Sequence, residues 1–274
     1  MQIKQLELKA IDIRMRALRM IYESKAGHLG GSMSMVDILV ALYYHKMNVR
    51  PENWQEIDRD RFILSKGHSV ETLYCVLADL GFFDPAELDG YSGFGSRLFG
   101  HPTVKVPGVE MCSGALGHGL SAAVGMALGA KRSGMNCGVY TIMGDGEQAE
   151  GSVWEAAMAG ANYGLDNLFA LIDRNGLQIS GSTEDVMALE NFAAKWAAFG
   201  WEVTEVDGND MQALCDYFDH VQNHGKPHCL IMHTVKGKGL PFAENRAEWH
   251  HHVPSAEQVL EAYRALGVKG VNWA

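Results

Sequence analysis

Two apolar stretches that end in polar turns decide the fold of this 274-residue chain: Gly138-Val-Tyr-Thr-Ile-Met-Gly-Asp-Gly146 and Leu168-Phe-Ala-Leu-Ile-Asp-Arg-Asn-Gly176. Each is typical of a short buried strand, and residues 152–163 between them have a helical pattern. The 30 residues that separate Asp145 from Asn175 suit one β-α-β unit. We therefore expect both polar side chains at the same edge of a parallel sheet.

The alternation of strands and helices extends along the rest of the chain. Further strands are predicted at residues 61–64, 201–206 and 229–233, and further helices at residues 6–21, 35–44, 70–80, 117–131, 189–199 and 211–221. This pattern indicates an α/β fold, a mostly parallel sheet with helices on both faces, in a single domain over residues 1–274. The glycine-rich residues 26–32 and the Gly-, Pro- and Ser-rich residues 85–112 are predicted to be loops.

Composition excludes several classes of function. The chain has 23 Lys and Arg against 33 Asp and Glu, a net charge of −10, and no basic run, so binding to nucleic acid or to an anionic membrane is not expected. No stretch approaches the ~20 apolar residues of a membrane span. The five cysteines are scattered and odd in number, which is typical of free thiols in a reducing compartment. We expect a cytoplasmic protein.

Asp145 and Asn175 have the chemistry of a cation site. Carboxylate and amide oxygens suit Mg²⁺ or Ca²⁺, and Mg²⁺ usually shares its few protein ligands with phosphate oxygens. Each turn taken alone is more often structural. The pattern Gly144-x-Gly146-x-x-Ala149 also fits a dinucleotide fingerprint, with Asp173 as a ribose ligand. The carboxylate of Asp145 beside a pyrophosphate argues against that alternative, because only a metal ion would turn the repulsion into a bridge.

The residues from Gly144 to Glu155 and from Asp173 to Ser180 resemble the thiamine diphosphate motif of the transketolase family. The resemblance continues in five more blocks in the family's order, which cover nearly the whole chain: Lys25-Ala-Gly-His-Leu-Gly-Gly-Ser32, Asp60-Arg-Phe-Ile-Leu-Ser-Lys-Gly-His68, Gly100-His-Pro102, Ser113-Gly-Ala-Leu-Gly-His-Gly119 and His233-Thr-Val-Lys-Gly-Lys-Gly239. The family's cofactors are thiamine diphosphate and Mg²⁺, or Ca²⁺ or Mn²⁺ in its place. The resemblance implies the same cofactors here.

The resemblance also assigns expected roles to individual residues. The implied metal ligands are Asp145, Asn175 and the backbone carbonyl of Leu177. The implied cofactor-binding residues are His68, Gly114, Leu116, Gly144, Asp145, Gly146, Glu150, Glu155, Asn175 and His250, with Glu150 at a subunit interface. The implied catalytic residues, which line the substrate channel, are His28, His68, His101 and His250. Within the run of three histidines, His251 remains an alternative to His250. Lys236 and Lys238 fit an anion contact and a solvent-exposed position equally well.

The resemblance covers only the diphosphate-binding half of a full-length transketolase. A chain that ends at Ala274 has no room for the pyrimidine-binding domain, whose glutamate activates the cofactor. We therefore expect a split transketolase, in which a separate C-terminal subunit completes an α2β2 heterotetramer. The expected activity is transfer of a two-carbon ketol unit from a ketose, by default a sugar phosphate, to an aldose. The alternatives are the α chain of a 2-oxo-acid dehydrogenase and a non-catalytic cofactor-binding subunit.

Overall fold

A computed structural model describes residues 1–267 and has a five-stranded sheet at its centre. The strands are β1 Arg61–Leu64, β2 Val139–Gly144, β3 Leu168–Arg174, β4 Leu177–Gln178, β5 Gly181–Ser182, β6 Glu202–Asp207 and β7 His228–His233. The large sheet has the order β1-β2-β3-β7-β6 and every pair in it is parallel, while β4 and β5 form a small antiparallel hairpin. The predicted fold class is confirmed.

Helices cover both faces of the sheet. They are α1 Ile3–Ser24, α2 Leu29–Ser34, α3 Val36–Ala41, α4 Val70–Asp79, α5 His118–Arg132, α6 Gly151–Asn162, α7 Thr183–Val186, α8 Phe192–Ala198, α9 Met211–His220 and α10 Ala256–Ala265. One apolar core includes residues of α1 to α4, α9 and α10, and the other includes residues of α5, α6 and α8. Because successive strand residues face opposite sides of a sheet, Tyr140 and Ile142 enter the first core and Val139 and Met143 the second.

The prediction of a loop over residues 26–32 is wrong for its second half. Helix α2 starts at Leu29 and is fully buried. A Cβ atom on Gly31 would lie 2.5 Å from Oγ of Ser69, and one on Gly30 would lie 3.0 Å from the Lys236 side chain. The glycines therefore allow α2 to pack closely against neighbouring side chains. The stabilisation gained by burying α2 exceeds the cost of the low helix propensity of glycine.

Other element boundaries in the structure differ by a few residues from those predicted from the sequence. The helix predicted over residues 189–199 begins only at Phe192, because Asn191 caps it by accepting a hydrogen bond from the backbone N–H of Ala194 at 3.2 Å. The long loop is confirmed: after a 3-10 turn at Pro85–Gly90, residues 91–117 contain neither helix nor strand. Helix α10 was not predicted.

None of the helices within residues 1–267 combines the length and the apolar character that a membrane crossing requires. The five cysteines are free thiols, four of them buried and Cys112 exposed, as predicted.

Candidate functional site

A cavity of about 470 Å³ opens at the carboxyl ends of β2 and β3. This is the edge at which open parallel sheets bind their ligands. Its walls come from residues far apart in the chain: His28, Gly31, Lys66, His68, Gly114, Leu116, Gly144, Asp145, Gly146, Glu147, Asn175, Leu177, Gln178, Ile179, Ser180, Lys236 and His250. Ten of the predicted site residues are in this set.

Asp145 lies directly after β2, in contact with the turn that follows β3. Its carboxylate accepts hydrogen bonds from the backbone N–H groups of Gly146 at 2.8 Å and Gly176 at 2.6 Å, and its Oδ2 lies 3.3 Å from Nη1 of Arg174. Burial raises the pKa of the Asp145 carboxyl, and the charge of nearby Asp173 raises it further. A cation in the cavity would offset both effects.

The other two predicted metal ligands lie on the same wall. Nδ2 of Asn175 donates to the Asp173 carboxylate at 3.2 Å, and its Oδ1 accepts from the backbone N–H of Leu177 at 3.2 Å. The carbonyl oxygen of Leu177 accepts a hydrogen bond from Nζ of Lys236 at 2.9 Å, so this oxygen already faces a positive charge. One carboxylate, one amide and one carbonyl are hard oxygen donors, which fit Mg²⁺ completed by phosphate oxygens. Within residues 1–267 there is no cluster of three His, Cys, Asp or Glu suited to a metal, so this site would combine the single carboxylate of Asp145 with two neutral oxygens.

Glu147 is a site residue that the sequence analysis missed. It is only 2 % exposed and accepts hydrogen bonds from the hydroxyl of Ser65 and the backbone N–H groups of Gly117 at 2.8 Å and Gly144 at 3.0 Å. It thereby joins the end of β1, the start of α5 and the end of β2. Nothing in the local sequence distinguishes it from the exposed Glu150 three residues later.

Lys66 and Asp173 form a buried ion pair beneath the cavity, which the sequence analysis also missed. The Asp173 carboxylate accepts from Lys66, from the hydroxyl of Ser34 at 2.6 Å and from the hydroxyl of Thr234, and it is fully buried. Burial alone would raise the pKa of Asp173, but the Lys66 ammonium and these hydrogen bonds hold it below its usual value. Asp173 is therefore committed to internal contacts and is not free to bind a ribose, so the dinucleotide alternative finds no support.

Four other histidine rings surround His28 at the mouth of the cavity. The centroid of the His28 ring lies 5.1 Å from the ring centroid of His68, 6.3 Å from that of His101, 5.7 Å from that of His250 and 4.6 Å from that of His251. The rings of His68 and His250 stack at 5.2 Å. The structure thus brings together all four predicted catalytic histidines, which the chain spreads over more than 200 residues.

Burial keeps three of these rings neutral near pH 7. It lowers the pKa of His28 to about 4, that of His68 to about 2 and that of His250 to about 3, with smaller effects from neighbouring positive groups. A neutral imidazole has one N–H donor and one nitrogen acceptor. The cluster can therefore both donate to and accept from the hydroxyl groups of a sugar.

The low pKa of His68 predicts a pH-dependent stability. An unfolded histidine has a pKa of about 6.5, so below pH 6.5 the unfolded chain binds a proton that folded His68 does not bind. The wild-type chain should therefore lose stability relative to His68→Asn as the pH falls from 6.5 to 4.5, at a slope approaching about 1.4 kcal/mol per pH unit. Urea unfolding at several pH values would measure this difference. His118→Asn, on the exposed start of α5, is the control, and equal slopes for both variants would contradict the prediction.

The structure separates the three consecutive histidines. His250 lines the cavity, and its Nδ1 accepts a hydrogen bond from Nζ of Lys236 at 3.0 Å. His251 is exposed and its ring lies against that of His28, while His252 packs edge-on against Trp249 at 4.8 Å. This geometry favours His250 over His251 as the active-site histidine, and its catalytic role stays a prediction.

Lys236 belongs to the cavity, so the solvent-exposed alternative for it is wrong. It is 2 % exposed, and burial together with the charge of Lys66 lowers its pKa to about 8. Lys238 is only partly buried. The two lysines differ because the turn after β7 directs the first towards Leu177 and His250.

Three predicted residues lie outside the cavity lining. His101 is exposed, near Gly114, where an added Cβ atom would come within 3.3 Å of its ring. Glu150 and Glu155 are exposed at the start and on the first turns of α6. Their predicted interface and cofactor roles depend on a second chain and stay predictions.

Fold and site together define an α/β domain with a cavity of oxygen ligands, lysines and neutral histidines at the carboxyl edge of a parallel sheet. A family model described as "Transketolase, thiamine diphosphate binding domain" matches residues 6–272. The chain belongs to the transketolase family and is its thiamine diphosphate-binding part.

Two curated relatives, both named as subunits of an apulose-4-phosphate transketolase, are similar over nearly their whole length. The chain is 51 % identical to the relative from Phocaeicola vulgatus, covering 97 % of this chain and 95 % of the relative. It is 45 % identical to the relative from Actinobacillus succinogenes, covering 96 % of each. These similarities favour the transketolase family over the α chains of 2-oxo-acid dehydrogenases.

The fold is also that of solved transketolases. The transketolase of Campylobacter jejuni superposes with a TM-score of 0.91 at 29 % identity, covering 97 % of this chain. The chain spans 43 % of that longer protein. The similarity therefore reaches the diphosphate-binding part of a solved transketolase and no further.

Proposed function

We propose that this chain is the diphosphate-binding subunit of a two-subunit transketolase, which transfers a two-carbon ketol unit from a ketose phosphate to an aldose. The observation that carries the proposal is the convergence of two sets of groups on one cavity. The oxygens of Asp145, Asn175 and Leu177 suit a metal-bound diphosphate, and the neutral rings of His28, His68 and His250 suit a sugar.

Thiamine diphosphate, when bound, supplies the carbanion-stabilising chemistry of such a reaction. The residues of this chain would hold and orient it: Asp145, Asn175 and Leu177 through Mg²⁺, with Lys236 and His68 facing the anionic groups. A Cβ atom on Gly146 would lie 2.9 Å from Oε1 of Gln178, so a side chain there would displace Gln178 from the cavity wall. The histidines would bind substrate hydroxyls and exchange protons with them.

Apolar exposure at the rim of the cavity and on the segment that follows it in the chain supports a partner subunit. Ile179 lines the cavity and is 71 % exposed, and Met187 on the segment after the β4–β5 hairpin is 60 % exposed. A contiguous exposed apolar patch is typical of an interaction surface, and the exposed Ile179 side chain beside the cavity would contribute to one. Glu150 lies at the same end of the sheet, since a Cβ atom on Gly117 would come within 2.7 Å of it. We propose that a separate pyrimidine-binding subunit covers this rim in a cytoplasmic α2β2 assembly.

The decisive experiment compares this 30.1 kDa chain alone with the chain plus its C-terminal subunit. With thiamine diphosphate, Mg²⁺, a ketose phosphate donor and an aldose phosphate acceptor, we expect ketol transfer only from the mixture. Apulose 4-phosphate belongs in the donor panel, because two similar proteins carry that substrate in their names.

Each other outcome has a distinct meaning. Transfer by this chain alone would contradict the need for a partner. Release of CO₂ from a 2-oxo acid would favour the dehydrogenase alternative. Thiamine diphosphate binding by the assembled pair without turnover of any sugar would favour a non-catalytic role.

A further inference from the structure

Glu71 on α4 is a fully buried carboxylate that the proposed reaction does not use. Its Oε1 accepts hydrogen bonds from the backbone N–H of His28 at 2.9 Å and from the hydroxyl of Tyr91 at 2.9 Å, and its Oε2 accepts from the hydroxyl of Ser32 at 2.6 Å. In the described part of the chain no Lys, Arg or His forms an ion pair with it. Burial raises the pKa of the Glu71 carboxyl, and its hydrogen bonds with Ser32, the His28 N–H and Tyr91 oppose that rise.

The position of His28 depends on this carboxylate. His28 precedes α2 and follows Gly27, whose φ of +140° places the backbone so close that a Cβ atom would lie 2.6 Å from Oε1 of Glu71. The side-chain Nδ1 of His28 is buried without a hydrogen-bond partner. The ring is therefore held in place by its backbone and by packing against the other histidines. The hydrogen bond from the backbone N–H to Glu71 fixes the part of the backbone from which the ring extends.

Glu71 also reaches the long loop that carries His101. Tyr91 belongs to that loop, is 3 % exposed and donates its hydroxyl to Glu71. One turn further along α4, the hydroxyl of Tyr74 donates to the carbonyl oxygen of His101 at 3.0 Å. Helix α4 itself follows the 3-10 turn of His68. Three of the clustered histidines are thus tied to α4, and Glu71 is the group that contacts two of the three segments.

We infer that Glu71 is a positioning residue that holds the His28 segment and the residue 85–112 loop in the geometry the substrate needs. It is not among the residues that line the cavity, so it would act through His28 and Tyr91 and not by contact with substrate or cofactor. The hydrogen bonds of Glu71 go to His28, Ser32 and Tyr91, and not to the proposed metal ligands Asp145, Asn175 and Leu177. Its loss should therefore impair substrate turnover and leave metal and cofactor binding unchanged.

The test uses Glu71→Ala in the complex with the C-terminal subunit, and the turnover measurement rests on the proposed function. We expect kcat/KM for the sugar substrates to fall by about 10- to 100-fold, because small misplacement of groups around the substrate costs that much. The affinity for thiamine diphosphate with Mg²⁺, measured by quenching of tryptophan fluorescence, should stay within twofold of wild type. Glu71→Gln keeps an acceptor for the His28 N–H and should recover most of the activity.

Thr72→Val is the matched control. Thr72 is the next residue of α4, is fully buried, and donates to the carbonyl oxygen of Ser32 at 2.7 Å without contacting His28. If Thr72→Val lowers kcat/KM as much as Glu71→Ala does, or if Glu71→Ala weakens cofactor binding in parallel with turnover, the positioning role is wrong. Should Glu71→Ala fail to fold, Tyr91→Phe removes only the loop contact and must lower kcat/KM by at least threefold.

A second readout does not need ketol transfer at all. Hydrogen exchange of the His28 backbone N–H should accelerate at least tenfold in Glu71→Ala and remain at the wild-type rate in Thr72→Val. Unchanged protection of the His28 backbone N–H in Glu71→Ala would overturn the inference, whether or not the wild-type complex is active. Lack of activity in the wild-type complex, with the expected change in exchange, would count against the proposed function alone.

Discussion

Asp145→Asn is expected to lower kcat/KM of the assembled enzyme by about 1,000-fold. Asp145 is the only carboxylate among the three proposed metal ligands, and the ion it helps to hold is worth several kcal/mol to such a reaction. Asparagine keeps the volume but only one side-chain oxygen, so it can accept from the backbone N–H of Gly146 or of Gly176 but not from both. The fold should survive the loss of one of these hydrogen bonds. Half-activation by Mg²⁺ should move to a concentration at least tenfold higher.

The measurement is a Mg²⁺ titration of thiamine diphosphate binding and of turnover. Chelation by EDTA should release the cofactor from the wild-type complex, and added Mg²⁺ should restore both binding and activity. Asp166→Asn is the matched control, because Asp166 lies just before β3 at the opposite edge of the sheet, paired with Lys131. Mg²⁺-dependent cofactor binding by Asp145→Asn that matches the wild type would show that this carboxylate is not a ligand.

Lys66→Met is expected to destabilise the chain by about 3–5 kcal/mol. Lys66 is 2 % exposed and Asp173 is fully buried, so the substitution leaves a carboxylate without its cation in the interior. For a chain of this size the loss corresponds to a fall in Tm of roughly 10 °C. Urea unfolding followed by circular dichroism would measure it, with coincident fluorescence as the test of two-state behaviour.

Two further variants separate the buried charge from other effects. The double variant Lys66→Met with Asp173→Asn removes the orphaned charge and should recover part of the stability. Lys131→Met breaks the more exposed pair with Asp166 and should cost at most about 1 kcal/mol. If Lys66→Met costs no more than Lys131→Met, the pair contributes little and Asp173 is held mainly by its hydroxyl donors.

Much of the site could be predicted because the sequence patterns that indicate it are only a few residues long. The strand before Asp145 and the strand before Asn175 are apolar runs of normal length, and one β-α-β unit places both turns at the same edge. The histidines were found only through the family resemblance. Their sequence neighbourhoods carry no period or spacing that would bring positions 28, 68, 101 and 250 together.

Residues whose role depends on burial were not identified from the sequence. Glu147 and Glu150 are three residues apart and chemically alike, yet one is buried among backbone N–H groups and the other is exposed. Lys66 meets Asp173 across 107 residues of sequence. Such partners depend on how α2, α4 and the sheet pack, and no local pattern encodes that packing.

By itself the sequence determined the α/β class, the parallel sheet and the pairing of Asp145 with Asn175, because hydrophobic periodicity and loop length are local properties of a chain. Only the tertiary structure decided that residues 29–34 form a helix, that His250 rather than His251 lines the cavity, and that Glu71 contacts His28. These outcomes depend on which side chains are excluded from water together. That exclusion is set by contacts between segments tens to hundreds of residues apart.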